Sequence, residues 1–276
     1  MDIGLSLAEI VPLVVALLVG GFCMGILAGL FGVGGGGILV PVLFEVFGVL
    51  GVDEAIRLHL AVGTSLAVVM PTSLRSFQSH HARGVVDMDL VKSFVAAVVF
   101  GALAAVIVAR HADVSFFKSI WIVVPMFMSI RFFLGTEDWK LGDEIPGQPF
   151  RAIFGTVIGL ISTLMSIGGG AFVTTLMTLY GRKIHQAVAT ASAFGPMIAI
   201  PGSFGFVWAG WHAAGLPPGS FGYVNVLGAA IIIPASVLAA PLGVRLAHGI
   251  SRRKLELAFA TFLAAISLRF FWSQFF

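Results

Sequence analysis

Charge is scarce in this sequence. Only 11% of the 276 residues are Asp, Glu, Lys or Arg, whereas a soluble domain carries about 25%. Sixteen basic and thirteen acidic side chains are too few to solvate the surface of a protein this size, so a soluble enzyme and a disordered chain are both excluded. Cysteine occurs once, at Cys23, which rules out an internal disulfide and a multi-cysteine metal site; the residue reads as a small buried apolar group. Alternating strands of about ten residues, the mark of a membrane β-barrel, are missing too.

What the chain has instead is apolar length. Hydrophobic residues make up 58%, the mean hydropathy is +1.04, and glycine and phenylalanine number 34 and 25. These values predict an all-α polytopic membrane protein, because lipid offers backbone polar groups no partners outside their own helix. The net charge of +3 does not indicate nucleic acid, since the basic residues sit in short loops and at helix ends. The first apolar stretch is too long for a secretory leader and reads as a membrane helix.

Ten apolar segments are expected, at about 8–31, 38–50, 57–77, 90–109, 115–134, 150–166, 171–180, 185–208, 222–247 and 253–274. Eight are long enough to cross a bilayer; 38–50 and 171–180 are short, and each follows a glycine run. Gly25-Ile-Leu-Ala-Gly-Leu-Phe-Gly-Val-Gly-Gly-Gly aligns without gaps with Gly159-Leu-Ile-Ser-Thr-Leu-Met-Ser-Ile-Gly-Gly-Gly. Ala61-Val-Gly-Thr-Ser matches Ala187-Val-Ala-Thr-Ala, and Ser129-Ile-Arg-Phe-Phe matches Ser267-Leu-Arg-Phe-Phe. Three matches in one order argue for a duplication. With five segments in each half, the second enters the membrane from the opposite side, giving two inverted five-helix repeats with glycine-broken short helices. The expected organisation is a first repeat over 1–134, a cytoplasmic linker over 135–149 and a second repeat over 150–276. If all ten segments cross, twelve of the sixteen Lys and Arg lie at odd-numbered loops, against Arg57, Arg110, Lys118 and Arg269 on the other side. The positive-inside rule then puts both termini outside a bacterial-type plasma membrane.

The run Gly32-Val-Gly-Gly-Gly-Gly37 fits G-x-G-x-x-G literally, but no βαβ unit surrounds it, and a dinucleotide site is rejected. No cofactor, metal set or catalytic constellation is expected. The glycines break a helix, so the following segment starts with bared amides and the positive end of its dipole. Two such starts, carrying Gly34, Gly35 and Gly36 in one half and Gly168, Gly169 and Gly170 in the other, could form an anion cradle or simply allow close packing. Gly21, Gly25, Gly155 and Gly159 read as packing positions. Thr64 and Ser65, with Thr190 and Ser192 in the second half, either offer hydroxyls to a polar solute or bond back to a preceding carbonyl. Arg75 either offsets an anion's charge or marks the cytoplasmic boundary. Glu45 is a candidate proton site for coupling, or is paired with a neighbour such as Arg57. Arg131 and Arg269 read as interfacial, and His80 and His81 as surface histidines of a loop, with a pH-dependent gate as the second reading.

At these residues the chain resembles the TauE/SafE family of sulfite and organosulfonate exporters, also described as a 4-toluene-sulfonate uptake permease family. The resemblance rests on Gly29-Leu-Phe-Gly-Val-Gly-Gly-Gly-Gly37, Ala61-Val-Gly-Thr-Ser65, His81-Ala-Arg-Gly-Val-Val-Asp87 and the weaker copy Ser166-Ile-Gly-Gly-Gly170. It implies a secondary transporter of small sulfur-containing anions such as sulfite, thiosulfate or sulfonates, working with a proton, sodium or no coupling ion. A passive anion channel is the alternative, and a homodimer through small-residue faces is an open expectation. The second copy departs at Ala189, where Gly63 stands in the first, and at Ala191, where Ser65 stands.

Overall fold

A computed structural model describes residues 7–31, 35–135, 140–246 and 251–275. The helices are α1 (Leu7–Phe31), α2 (Gly36–Val49), α3 (Glu54–His81), α4 (Met88–His111), α5 (Val114–Leu134), α6 (Phe150–Leu164), α7 (Gly170–Leu179), α8 (Ile184–Ala191), α9 (Phe194–Ala209), α10 (Val226–Leu246) and α11 (Arg252–Phe275). Each falls on one of the apolar segments expected above, with the eighth segment divided into α8 and α9 around Ser192 and Ala193. Six described stretches are long and apolar enough to cross a membrane: Val11–Leu30, Glu54–His81, Met88–His111, Val114–Leu134, His185–Ala209 and Val226–Leu246. The segment expected at 150–166 is shorter than anticipated, because α6 ends at Leu164 and Ser166 takes a left-handed backbone with φ 53°.

Local chemistry sets the element ends. Asp53, Asp87 and Asp113 cap α3, α4 and α5 by accepting the amides of Ala55, Leu90 and Phe116 at 2.8, 3.0 and 2.8 Å, which engages donors a helix start cannot satisfy itself. One element went unforeseen. Ser220–Phe221 (β1) and Val224–Asn225 (β2) form a two-stranded antiparallel hairpin just before α10.

The helices pack in matched pairs, most of them joining the two halves of the chain. α1 lies along α10 and α6 along α4; α10 also packs on α3 and α4 on α9; α2 meets α3 as α7 meets α8; α5 packs on α11 and α3 on α9. Glycine makes the first two contacts possible. A Cβ on Gly25 would stand 2.2 Å from the Ser236 carbonyl oxygen, and one on Gly29 2.1 Å from that of Ala240. The α6 glycine that aligns with Gly25 behaves alike: a Cβ on Gly159 would stand 2.2 Å from the Val98 oxygen. Gly21 and Gly155 likewise face Ile232 and Ala97. Such backbone-to-backbone approach is what small residues provide between membrane helices, where dispersion rather than water exclusion holds the contact. Cys23 departs from expectation: it is exposed on the outer side of α1, because the buried face of that helix is given over to the glycines.

Candidate functional site

The two short helices begin alike. Gly35 caps α2 with φ 71° and Gly169 caps α7 with φ 70°; neither start carries a side-chain cap. Both angles lie in the left-handed region that glycine adopts without steric cost, and both glycines hold the same place in the aligned runs. Gly35, Gly36, Gly168, Gly169 and Gly170 are all buried. The two breaks meet: a Cβ on Gly36 would lie 1.8 Å from the Ser166 carbonyl oxygen, and Gly37 faces Ile167. The first turn of α2, with its amides and positive dipole end, is therefore set against the buried break that leads into α7. Gly34 lies outside the described residues.

Hydroxyls crowd this region. The Ser166 hydroxyl donates to that of Ser65 at 2.9 Å, so a residue of α3 in the first half holds the break of the second. One turn before Ser166, the Ser162 hydroxyl is buried with no hydrogen-bond partner among the described residues. Sequence reasoning passed over Ser162 and Ser166; their signal was their place inside the duplicated run, opposite Ala28 and Gly32. Thr163, beside Ser162, donates back to the Gly159 carbonyl at 2.7 Å.

Thr64 and Thr190 are fully buried and neither bonds back along its own helix. Thr64 accepts the amide of Asn225 at 2.9 Å, and Thr190 accepts the amide of Asp87 at 3.0 Å. Each hydroxyl retains a proton to donate. Ser192, by contrast, donates to the Ala189 carbonyl at 2.6 Å inside its own turn. The difference between Gly63 and Ala189 has a structural reason. A Cβ at position 63 would come 2.0 Å from the Tyr223 carbonyl oxygen, so the hairpin backbone needs glycine there. Tyr223 also packs on the His59 ring with centroids 5.1 Å apart, and burial raises its phenol above the ordinary value.

The charged candidates sit away from the buried breaks. Arg75 is exposed, although Thr72, Ser73 and Ser76 around it on α3 are buried. Glu45, on α2, pairs with Arg269 of α11 at 2.7 Å, both side chains more than half exposed. Arg57, its expected partner, instead donates to the Val52 carbonyl at 3.0 and 2.8 Å and lies over the Phe44 ring. The aligned Arg131 donates to Thr175 of α7 at 2.7 Å, so each arginine of the matched pair reaches the short helix of the opposite half. A cavity of about 210 Å³, lined by Pro41, Phe44, Phe262, Ile266 and Ser273 among others, opens beside Glu45 and Arg269.

His80 departs from expectation, and Lys118 adds a buried charge that the sequence did not single out. His80 is not in a loop: it lies in the last turn of α3, 6% exposed, with Nε2 3.3 Å from the Gly29 carbonyl oxygen. Ser76 donates to the neighbouring Ala28 carbonyl at 3.1 Å. Together they serve carbonyls of the last α1 turns, which a helix end leaves without internal donors. Lys118 is buried; its ammonium donates to Glu54 at 2.5 Å and to the Ser273 carbonyl and hydroxyl, both at 2.9 Å. The described residues hold no cluster of three or more His, Cys, Asp or Glu that could bind a metal ion.

Comparison with known proteins agrees with this architecture. The family described as "Sulfite exporter TauE/SafE" matches residues 17–270. A "probable membrane transporter protein" of Haemophilus influenzae is 27% identical over 259 residues, covering 94% of this chain and 98% of the relative. One of Methanocaldococcus jannaschii is 26% identical, covering 94% and 96%. Another, of Bacillus subtilis, is 28% identical, covering 92% and 98%. No solved structure is significantly similar.

Proposed function

Because the chain belongs to the sulfite exporter TauE/SafE family, a family of membrane transporters, we propose that it is a secondary transporter that exports small sulfur-containing anions, sulfite or an organosulfonate, across a plasma membrane. The carrying observation is the contact of Gly36, the first residue of α2, with Ser166 in the break that leads into α7, each of the two helices starting from a buried left-handed glycine without a side-chain cap. Helix starts present amides and partial positive charge to an anion without a fixed cation. A weak, dispersed attraction suits turnover, since a buried arginine would hold an anion too tightly. The amides of Gly35, Gly36 and Gly170 and the Ser162 hydroxyl, which has no partner among the described residues, are the groups we assign to the anion; the Gly169 amide is already engaged by the Ile167 carbonyl at 2.7 Å. Gly34 and Gly168 complete the two glycine runs.

In this reading the halves 1–134 and 150–276 are inverted repeats joined by the linker 135–149, with ten crossings and both termini outside. The pairing of α1 with α10 and of α6 with α4 supports an exchange symmetry between them. Transport proceeds by alternating access, one half rocking against the other around the shared centre. Glu45 is the candidate for coupling to a proton. Its carboxylate is already paired with Arg269, so protonation would break an ion pair between α2 and α11.

Reconstitution into liposomes tests the proposal. Sulfite or a sulfonate loaded inside should accelerate entry of the labelled anion from outside, with acetate and phosphate ineffective. Unselective flux without counterflow would replace the carrier with a channel; no flux of any sulfur anion would remove the substrate assignment.

A further inference from the structure

Two hydrogen bonds in this protein are copies of each other. In the first, the Thr64 hydroxyl accepts the Asn225 amide at 2.9 Å, while the Asn225 side chain accepts the amide of Gly228, three residues on, at 2.7 Å. In the second, the Thr190 hydroxyl accepts the Asp87 amide at 3.0 Å, while the Asp87 side chain accepts the amide of Leu90, again three residues on, at 3.0 Å. The threonines are the aligned residues of Ala61-Val-Gly-Thr and Ala187-Val-Ala-Thr. Asp87 and Asn225 both stand just before the helix that packs along the glycine-lined face of the opposite half, α4 on α6 and α10 on α1. Each bond therefore ties a helix of one half to the first turn of a helix of the other.

The two ties lie at different levels. Thr64 is seventeen residues before the end of α3 at His81, and Asp87 follows that end, so about 25 Å of helix separates them at 1.5 Å per residue. Both are formed at once, and the region between them is buried. The Asn225 tie has extra anchors: its side-chain amide donates to the Pro218 carbonyl at 3.1 Å and the Ser220 hydroxyl at 3.0 Å. It also has a link to the centre. Ser65, next to Thr64, receives the hydroxyl of Ser166 at the second break. The corresponding residue in the other half is Ala191, so the Asp87 tie lacks that hydroxyl.

We infer that Thr64–Asn225 and Thr190–Asp87 are the two latches of this transporter, each closing one end of the path and opening in alternation. The inference rests on the carrier reading above but not on the identity of the anion. Asn225 and Asp87 are positioning residues: they touch no substrate and act by holding α10 and α4 against the opposite half. Breaking one latch shifts the resting population toward the state open at that end and leaves the other end shut.

The experiment uses the full chain in nanodiscs, where both ends meet reagent, with Cys23→Ser to remove the exposed native thiol. A reporter cysteine is placed beside each latch, Val224→Cys for the first and Val86→Cys for the second, and reacted with a water-soluble maleimide. Thr64→Val, which keeps the shape and loses the hydroxyl, should raise labelling at 224 roughly three- to tenfold, the population shift of one lost hydrogen bond, with no rise at 86. Thr190→Val should do the reverse. Thr64→Ser should restore the resting rate at 224, which plain misfolding would not. Labelling that does not move, or that rises at both reporters with either variant, overturns the latches. Latches that behave as expected in a protein carrying no sulfur anion would overturn the substrate and leave the latches standing. Sulfur-anion counterflow with unmoved labelling would do the opposite.

Discussion

The α carbon of Gly36 rests against the carbonyl oxygen of Ser166, leaving no room for a methyl group between the two halves of the chain. One turn of α2 and the break after α6 therefore meet backbone to backbone at this point. The hydroxyls of Ser65 and Ser166 meet beside it, and the Ile167 side chain faces Gly37.

Replacing Gly36 by alanine should separate the breaks. The obstructing atom is a main-chain oxygen, so the overlap is relieved only by moving α2 or the 165–169 loop, at about 1–3 kcal/mol. Gly36→Ala should lower the melting temperature in detergent and abolish anion counterflow. Gly37→Ala, whose new methyl would find its nearest neighbour at 3.8 Å, should do neither.

The Gly63 and Ala189 positions should respond unequally to exchange. Gly63→Ala drives a methyl into the Tyr223 carbonyl and should displace the hairpin, read as faster proteolysis between 211 and 225. Ala189→Gly only adds backbone freedom within α8, costing about 1 kcal/mol, and should leave the digestion pattern as it was.

The Lys118–Glu54 pair predicts an asymmetry in stability. Glu54→Gln leaves a buried ammonium without its counter-charge, whereas Lys118→Met leaves a carboxylate that is 53% exposed and open to water. The first should cost more than the second, because an unpaired buried charge is far more expensive than an exposed one. Thermal unfolding of the two variants checks the order; equal losses would mean that Lys118 acts through Ser273 alone.

For Glu45 and Arg269, both largely exposed, stability is the wrong readout. An exposed ion pair contributes about 0–1 kcal/mol, so Glu45→Gln should scarcely change the melting temperature. If Glu45 couples transport to protons, the same variant should flatten the pH dependence of counterflow while leaving exchange at a single pH intact. Flattening with Arg269→Gln as well would identify the pair, rather than the carboxyl alone, as the responsive unit.

The helices were legible because apolar length dictates them: the boundaries at Phe31, Leu134 and Leu179 follow from composition, and the left-handed caps at Gly35 and Gly169 from glycine runs. The division of the eighth segment at Ser192 and Ala193 was not signalled, since its prolines, Pro196 and Pro201, lie further on within α9. The hairpin escaped because two-residue strands have no period to read. Thr64 and Thr190 stood out by duplication, but their partners did not. A hydroxyl accepting an amide more than a hundred residues away leaves no local pattern. The burial of His80 and of Lys118 escaped for the same reason: it is decided by the α1 carbonyls and by Glu54 and Ser273, which only the tertiary arrangement brings near.

The glycine-lined contact between α1 and α10 also bears on how the protein is made. A chain threaded into the membrane from its N-terminus places α1 in lipid long before α10 has been synthesised, and α4 before α6. Until then each exposes a flat, small-residue strip that matches its absent mate and little else. Assembly around α1 therefore closes late, when α10, which begins at Val226 of 276 residues, arrives. A fragment ending in the linker would hold helices whose closest companions are missing, so truncations should be cleared by membrane quality control rather than persist as half-transporters.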